Sequence, residues 1–354
     1  AAAALLHPAT AKPTNVRVAG RQLLVDDVPV HLKGVNWNPV PRGATHPQGL
    51  DYRGSVLRDS ALMQEAGINA LRSYECICDP EVLDILHNRS IFVLNTVFAN
   101  AEEPLSLVEQ KVNAVKDHPA VLMWVVGNEW NYNGCYAHLS HEDCLHWIRD
   151  AANIVKRLDT AHPVSTIYGR LPSPRTVEQL SVIDVWGINY YHGLHFRDQD
   201  LGGSGELFQE WAQLSKLPLY IGEYGADAWD TFGDCEDLES QAEAVATLTE
   251  DIMNHTSLHE GGAVLGGMLF EFADEWWKDS TGNASTHDHN GFDWGGGPHP
   301  DMRYNEEWWG LVDIDRQPRP AYYAYKNITV PTFAGLEAAA SGPRRRLAQP
   351  PVHV

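Results

Sequence analysis

No run of ~18 apolar residues occurs in the chain, so no segment is expected to cross a membrane as a helix. Basic residues are scarce: 26 Lys and Arg stand against 47 Asp and Glu, a formal net charge of −21. That deficit argues against nucleic acid and against an anionic membrane surface, and it suits uncharged partners. Cysteine is sparse, and none of Cys76, Cys78, Cys135, Cys144 and Cys235 has the spacing of a zinc site. No glycine-rich phosphate loop follows an early strand, which disfavours an open doubly wound nucleotide-binding sheet. No repeated motif is found, and no cofactor is expected.

What is present is a regular alternation. Short apolar stretches at 31–37, 69–74, 91–97, 121–126, 163–168, 182–191, 219–226 and 264–273 read as strands. Helical patterns separate them at 55–67, 80–89, 105–117, 141–159, 206–215, 238–255 and 319–326, with a short helix or turn near 177–180. Such alternation implies a parallel sheet, and eight strands imply closure into a (β/α)8 TIM barrel of the α/β class. With 354 residues and 44% apolar content, the chain can fill one such core. Segments 16–18 and 23–25 flank a turn at Gly20 and read as an N-terminal β-hairpin that plugs the amino-terminal end of the barrel. The expected organisation is an extension over 1–15, one barrel domain over 16–330 with long loops at the carboxyl ends of its strands, and a Pro- and Arg-rich tail over 331–354.

Two stretches carry the chemistry. VLMWVVGNEW, 121–130, is a buried-strand run ending in Gly-Asn-Glu-Trp; LYIGEYGA, 219–226, repeats the pattern of apolar run, Gly, Glu and aromatic. A lone strand-end glutamate reads as a solvated carboxylate. Two of them, Glu129 and Glu223, about three βα units apart, fall on strands four and seven and face each other across the barrel mouth. Opposed carboxylates suit glycoside hydrolysis, in which one is protonated to assist the leaving oxygen and the other is ionised to attack or to activate water. Arg72, ending strand two, is positioned to hold Glu223 ionised, which makes Glu223 the nucleophile; the alternative for Arg72 is a salt bridge sealing the barrel. Glu129, between Asn128 and Trp130, is in a more apolar setting that suits the acid/base, and Asn128 is positioned to bond a sugar hydroxyl.

Twelve Trp and thirteen Tyr are a heavy aromatic load. Asn36, Trp37, Trp130, Tyr190, Trp229, Trp276 and Trp277 are candidate substrate contacts, with core packing the alternative for the rings. The loop over 275–310 contains HDHNGFDWGGG and reads as a cleft wall. Its His287, Asp288, His289 and Asp293 match no metal-site spacing, and no metal is expected.

These residues resemble the clan A glycoside hydrolases, retaining enzymes on (β/α)8 barrels. The likeness runs from about Val16 to Lys326 and rests on Asn128-Glu129 at strand four, Glu223 at strand seven and Arg72 at strand two. DHPAVLMWVVGNEW, 117–130, is similar to the acid/base segment of the β-galactosidase and β-glucuronidase family, and DVWGINYYHG, 184–193, to that family's strand six. The resemblance implies that Tyr191 bonds the nucleophile, with Asn189 nearby. Arg72-Ser73-Tyr74 and Gly222-Glu223-Tyr224-Gly225 also resemble β-1,3-glucanosyltransferases. Two departures stand out. That family carries sandwich domains ahead of its barrel, where a hairpin stands here. It also offers a Trp at strand eight, where this chain has Phe270, so Trp276 or Trp277 becomes the expected sugar platform.

The expected activity is a retaining β-glycosidase acting on a β-glucan or related poly- or oligosaccharide. A transglycosylase using the same glutamates and a non-catalytic carbohydrate-binding barrel are the alternatives. Sequons at Asn88, Asn254, Asn283 and Asn327, together with the cysteines, point towards a secreted or secretory-pathway glycoprotein. One or two disulfides are expected in loops after strands, Cys135–Cys144 being one candidate, with an odd thiol left over.

Overall fold

The computed structural model describes residues 15–196, 207–278 and 282–330. The eight barrel strands, numbered in chain order, are Leu32–Asn36, Ala70–Arg72, Phe92–Phe98, Val121–Val126, Val164–Tyr168, Val185–Asn189, Leu219–Tyr224 and Val264–Leu269. All pair in parallel, each with its sequence neighbours, and strand eight pairs with strand one to close the barrel. Strands four, seven and eight are buried along their whole length, as a sheet covered on both faces requires.

The helices follow local signals. Asp79 caps Pro80–Asn88 by accepting from the Glu81 N–H, with Pro80 at the first helical position. Ser140 caps His141–Leu158, which carries Glu142 and Asp143 in its first turn and Lys156 and Arg157 in its last, matching the helix dipole. The first helix starts at Tyr52, three residues earlier than the apolar pattern indicates, because the Asp51 carboxylate accepts the Gly54 N–H at 2.8 Å. The last helix, Pro320–Asn327, lies against strand one through Tyr325, whose hydroxyl donates to the Gly34 carbonyl at 2.8 Å.

Side chains pack in two bodies. One fills the layer between the barrel and its helices. The other fills the barrel interior, with Leu94, Met123, Ile167 and Met268, and it includes Val16 and Leu23 of the hairpin strands Val16–Ala19 and Gln22–Val25. The hairpin thus contributes apolar side chains to the barrel's own core, in the manner of a plug.

Strand eight ends at Leu269, short of the expected 273. From Phe270 onward the backbone bonds to its surroundings instead: the Phe270 N–H donates to Tyr224, the Phe272 N–H to Asn36, and the Glu271 N–H to Trp309, while the Leu311 N–H donates back to Glu271. The returning loop therefore stitches 270–273 to the barrel rim.

The disulfide falls on a pair other than the candidate Cys135–Cys144. Cys76 and Cys78 form a disulfide, whereas Cys135 and Cys144 are free and buried and Cys235 is free and exposed. Cys144 lies inside the helix His141–Leu158 rather than in a loop. Its thiol and that of Cys135 share a hydrogen bond, and burial, then this contact, pushes the Cys135 thiol up, which keeps it protonated and inert. No helix among the described residues is long and apolar enough to cross a membrane.

Candidate active site

Strand registers bring four polar side chains level at the barrel mouth. Asn36 on strand one is opposite Arg72 on strand two, and Asn189 on strand six is opposite Glu223 on strand seven. Arg72 is fully buried and acts as the hub. Its Nη1 donates to Glu223 Oε1 at 2.8 Å, to Asn36 Oδ1 at 3.0 Å and to the Gly222 carbonyl at 3.2 Å, and its Nη2 donates to Asn128 Oδ1 at 2.7 Å. One guanidinium thereby holds the ends of strands one, four and seven in register.

Both oxygens of Glu223 are held. The Tyr74 hydroxyl donates to Oε1 at 2.7 Å and the Tyr191 hydroxyl to Oε2 at 2.8 Å. Burial alone would raise the Glu223 pKa. The Arg72 and Lys278 charges and the hydrogen bonds from Arg72 and Tyr74 outweigh burial and lower it.

Glu129 is in the opposite situation. Burial, then the negative charge of Glu223, pushes its carboxyl up to about 7, with an Asn189 hydrogen bond and the Arg72 charge pulling weakly the other way. Two carboxyls at one barrel mouth therefore differ in protonation state near neutrality, the condition for an acid and an ion side by side.

The chain turns sharply to present Glu129. Gly127 and Glu129 both have left-handed backbone, with φ of +79° and +46°. Such a conformation in a non-glycine residue is a sparsely populated one that surrounding structure must impose. Here the Glu129 N–H bonds the Ile167 carbonyl of strand five, and the turn continues into a short helix, Trp130–Asn133, that sequence periodicity is too short to signal. Gly127 admits no side chain: an added Cβ would lie 2.4 Å from Ile148 Cδ1 and 2.7 Å from Trp130 Cδ1. Gly127→Ala is therefore expected to destabilise the protein by about 1–3 kcal/mol, from left-handed strain plus overpacking. A denaturant titration checks this; an unchanged midpoint would contradict the reading.

Asn128 is oriented by three partners. Its Oδ1 accepts from Arg72 and, at 3.2 Å, from Asn189 Nδ2, and its Nδ2 has a long contact of 3.4 Å with the Tyr136 hydroxyl.

Several aromatic candidates are core residues. Trp37 is 1% exposed, donates its indole N–H to Asp59 at 3.0 Å and packs on Tyr52. Trp130, also 1% exposed, donates to Thr166 at 3.0 Å and packs on Tyr168 and His141. Tyr190 packs on Phe196 and His192 because alternation along strand six turns it away from Tyr191. None of the three has a face free to carry a sugar. Asn36 is buried and spends its amide on Arg72 and on the Gly222 and Met268 carbonyls, so it positions rather than binds.

Trp276 is sandwiched between Arg42 and His287, Trp277 stacks on His46, and Trp229 packs between His289 and Trp308. His287 itself stacks on Trp308 at 3.5 Å and faces the Glu307 carbonyl through Nε2, a packing role within the loop.

The ring beside the nucleophile belongs to Phe270. Its centroid lies 6.5 Å from that of Tyr74, 6.2 Å from that of Tyr191 and 5.5 Å from that of Trp309. Sequence reading overlooks Tyr74, Trp309 and Lys278. Tyr74 was open to discovery, since residues two apart on a strand share a face and Arg72 already occupies it. Nothing in the sequence signals Trp309 or Lys278, which arrive on the long loop after strand eight.

Comparison with known proteins bears on the fold and the family. Residues 100–332 match the family model described as glycosyl hydrolases family 2, TIM barrel domain. Among curated proteins, the chain is 24% identical over 281 residues to the β-glucuronidase of Sus scrofa, covering 73% of this chain and 40% of that protein. It is 24% identical over 245 residues to the β-glucuronidase of Streptococcus agalactiae, covering 60% and 39%. Among solved structures, a β-glucuronidase from Ruminococcus gnavus superposes with a TM-score of 0.64 at 18% identity, covering 89% of this chain and 53% of that one. A β-galacturonidase from Eisenbergiella tayi gives 0.60 at 19% identity, covering 89% and 53%. At these identities the structures support the fold alone, and the chain spans about 40% of the length of the curated relatives it matches.

Proposed function

The chain belongs to glycosyl hydrolase family 2 through its TIM barrel domain, and from that premise we propose that it cleaves β-glycosides by double displacement. One observation carries the reading: two strand-end carboxyls share the mouth, one held ionised by Arg72, Tyr74 and Tyr191 and one raised to about 7. In the first step the Glu223 carboxylate attacks the anomeric carbon while Glu129 gives its proton to the departing oxygen. In the second, Glu129, now ionised, takes a proton from water, which attacks the glycosyl ester and frees Glu223.

The supporting residues follow from their bonds. Arg72 keeps the nucleophile charged in a buried site. Tyr74 and Tyr191 each donate to one carboxylate oxygen and hold its plane. Asn128, with its carbonyl oxygen occupied by Arg72 and Asn189, turns its amide nitrogen towards the Tyr136 side, where it can donate to a glycone hydroxyl.

The pH dependence follows in sign. Glu129 must be protonated for the first step, so kcat/KM falls as pH rises through about 7. Glu223 must be ionised, and its pKa is lowered, so the acid limb lies below the ordinary carboxyl range. Glu129→Gln is expected to abolish the alkaline limb for aryl glycosides whose leaving group needs no proton. A pH–rate profile of both proteins checks this; an alkaline limb that survives in the variant assigns it to another group.

The direct test is trapping. Incubation with 2-deoxy-2-fluoro glycosyl fluorides of glucose, mannose, galactose, glucuronic acid and laminaribiose, followed by peptide mapping, is expected to label Glu223. A label on any other residue overturns the assignment. Two glycone classes remain in play. The names of the relatives point to uronides, and the aromatic-rich loops suit a neutral β-glucan or oligosaccharide.

A further inference from the structure

Beside the catalytic pair stands a group of charges that the double displacement does not use. Lys278 lies 3.8 Å above the Phe270 ring, and its charge acts on both Glu129 and Glu223. Its ammonium is 3.1 Å from Glu306 and 3.9 Å from Glu275. Glu275 is 2% exposed and accepts from Asn38 Nδ2 at 2.6 Å. Glu271, 1% exposed, hydrogen-bonds Glu275 and leaves Oε1 without a partner among the described residues. The Oδ1 of Asn38 is likewise unpartnered there.

The charges can be counted. Burial raises both carboxyls, Glu275 to about 7 and Glu271, beside the Glu275 charge, further, so the pair carries at most one negative charge. Glu306 adds a second, against the single positive charge of Lys278. The remaining nearby cation, Arg72, is committed to Glu223 and Asn128. Asp274, on the same loop, is neutralised by its own partner, Arg319, at 2.6 Å.

Lys278 and Phe270 link this group to the nucleophile, the first by its charge. Phe270, which carries the ammonium on its face, touches Tyr74 and Tyr191, and both of their hydroxyls sit on Glu223. A glycone on Glu223 that turns its far side, C4 to C6, towards Phe270 would face these groups. A uronate carboxylate would then enter a wall with no uncommitted positive charge, its one ammonium being taken by Glu306 and Glu275. A neutral sugar would bring no further charge to it.

Resting on the glycosidase reading above, we infer that Glu271, Glu275, Lys278 and Glu306 form a specificity wall that admits a neutral glycone and turns away a uronide. In this the chain departs from the glycone class its relatives are named for. Lys278 holds the wall together by ion pairing and does not serve as a carboxylate receptor.

The test reads binding and turnover separately. Calorimetric affinities are measured for isofagomine and for its uronic analogue, in which a carboxylate replaces the hydroxymethyl group. Rates are measured for 4-nitrophenyl β-glucoside, β-galactoside and β-mannoside and for the matching uronides. The expected result is a preference of about 100-fold or more for the neutral member of a pair, as a like charge at close range in a partly dry site demands. Glu306→Gln removes one wall carboxylate without touching the catalytic pair and is expected to narrow the preference about tenfold. A tighter-binding uronic analogue overturns the inference whether or not turnover is seen. An unchanged preference in a Glu306→Gln protein of normal melting temperature overturns the assignment to these residues. Preference for isofagomine with no turnover of any glycoside leaves the wall standing and sinks the glycosidase reading instead.

Discussion

Glu223→Gln lowers kcat/KM by roughly 10⁴-fold or more while ligand binding survives, because the amide keeps the shape of the carboxylate and cannot form the glycosyl ester. The change should not unfold the protein. The amide oxygen can still accept from Arg72 Nη1 and Tyr74, which now meet Oε1 at 2.8 Å and 2.7 Å. A sharper version uses Glu223→Ala with added azide, which enters the vacated face and gives an α-glycosyl azide. Glu129→Ala with azide gives the β-product, since azide then resolves an intact glycosyl-Glu223. The two anomers, read by NMR, assign the two carboxyls independently. Azide products of the reverse anomeric pattern would exchange the roles, and wild-type turnover in Glu223→Gln would remove Glu223 from the chemistry.

Arg72→Met combines the second-largest loss of activity with the largest loss of stability. Arg72 is the only cation hydrogen-bonded to Glu223 among the described residues, and it also bonds Asn36, Asn128 and the Gly222 carbonyl. Its removal strips a buried carboxylate of its paired cation, at a cost of about 3–5 kcal/mol. The carboxyl can relieve that cost by taking up a proton, so its pKa rises and the acid limb of the pH–rate profile moves up. At neutral pH the nucleophile is then partly protonated and Asn128 is loose, and kcat/KM falls by roughly 10³-fold. Arg72→Lys keeps the charge and loses the fork that spans Glu223 and Asn128; it is expected to recover stability better than rate. The measurement pairs a denaturant melt with a pH–rate profile. An acid limb that stays in place in Arg72→Met would show that Arg72 does not hold Glu223 ionised.

The two predictions draw on different levels of the molecule. Glu223 and Glu129 were legible in the sequence because each closes an apolar run with Gly before it, and strand ends on a barrel share one mouth. Arg72, Asn128, Asn189 and Tyr191 were legible through position and resemblance, since strand residues near the carboxyl end meet at the same level. The aromatic candidates Trp37, Trp130 and Tyr190 failed for one reason. Sequence marks a large ring near a strand end and says nothing about which side of the strand it occupies. Trp37 and Trp130 spend their indole N–H groups on Asp59 and Thr166 in the helix-facing layer.

By itself, the amino-acid sequence determined the periodicity, and with it eight strands, the intervening helices and the barrel that closes them. It determined which residues end those strands, because period-two and 3.6-residue patterns are local properties of the chain. Only the tertiary structure decided which groups set the two protonation states and which charges stand beside them. The Glu129 carboxyl is raised by burial and by Glu223, and the Glu223 carboxyl is lowered by a guanidinium from across the barrel. Glu271 is fixed at the rim by the backbone hydrogen bonds that join 270–273 to the barrel and to 309–312, and Lys278 and Glu306 meet on the loop between those segments. Electrostatic interaction depends on distance and dielectric in space, and neither is written in the order of residues along a chain.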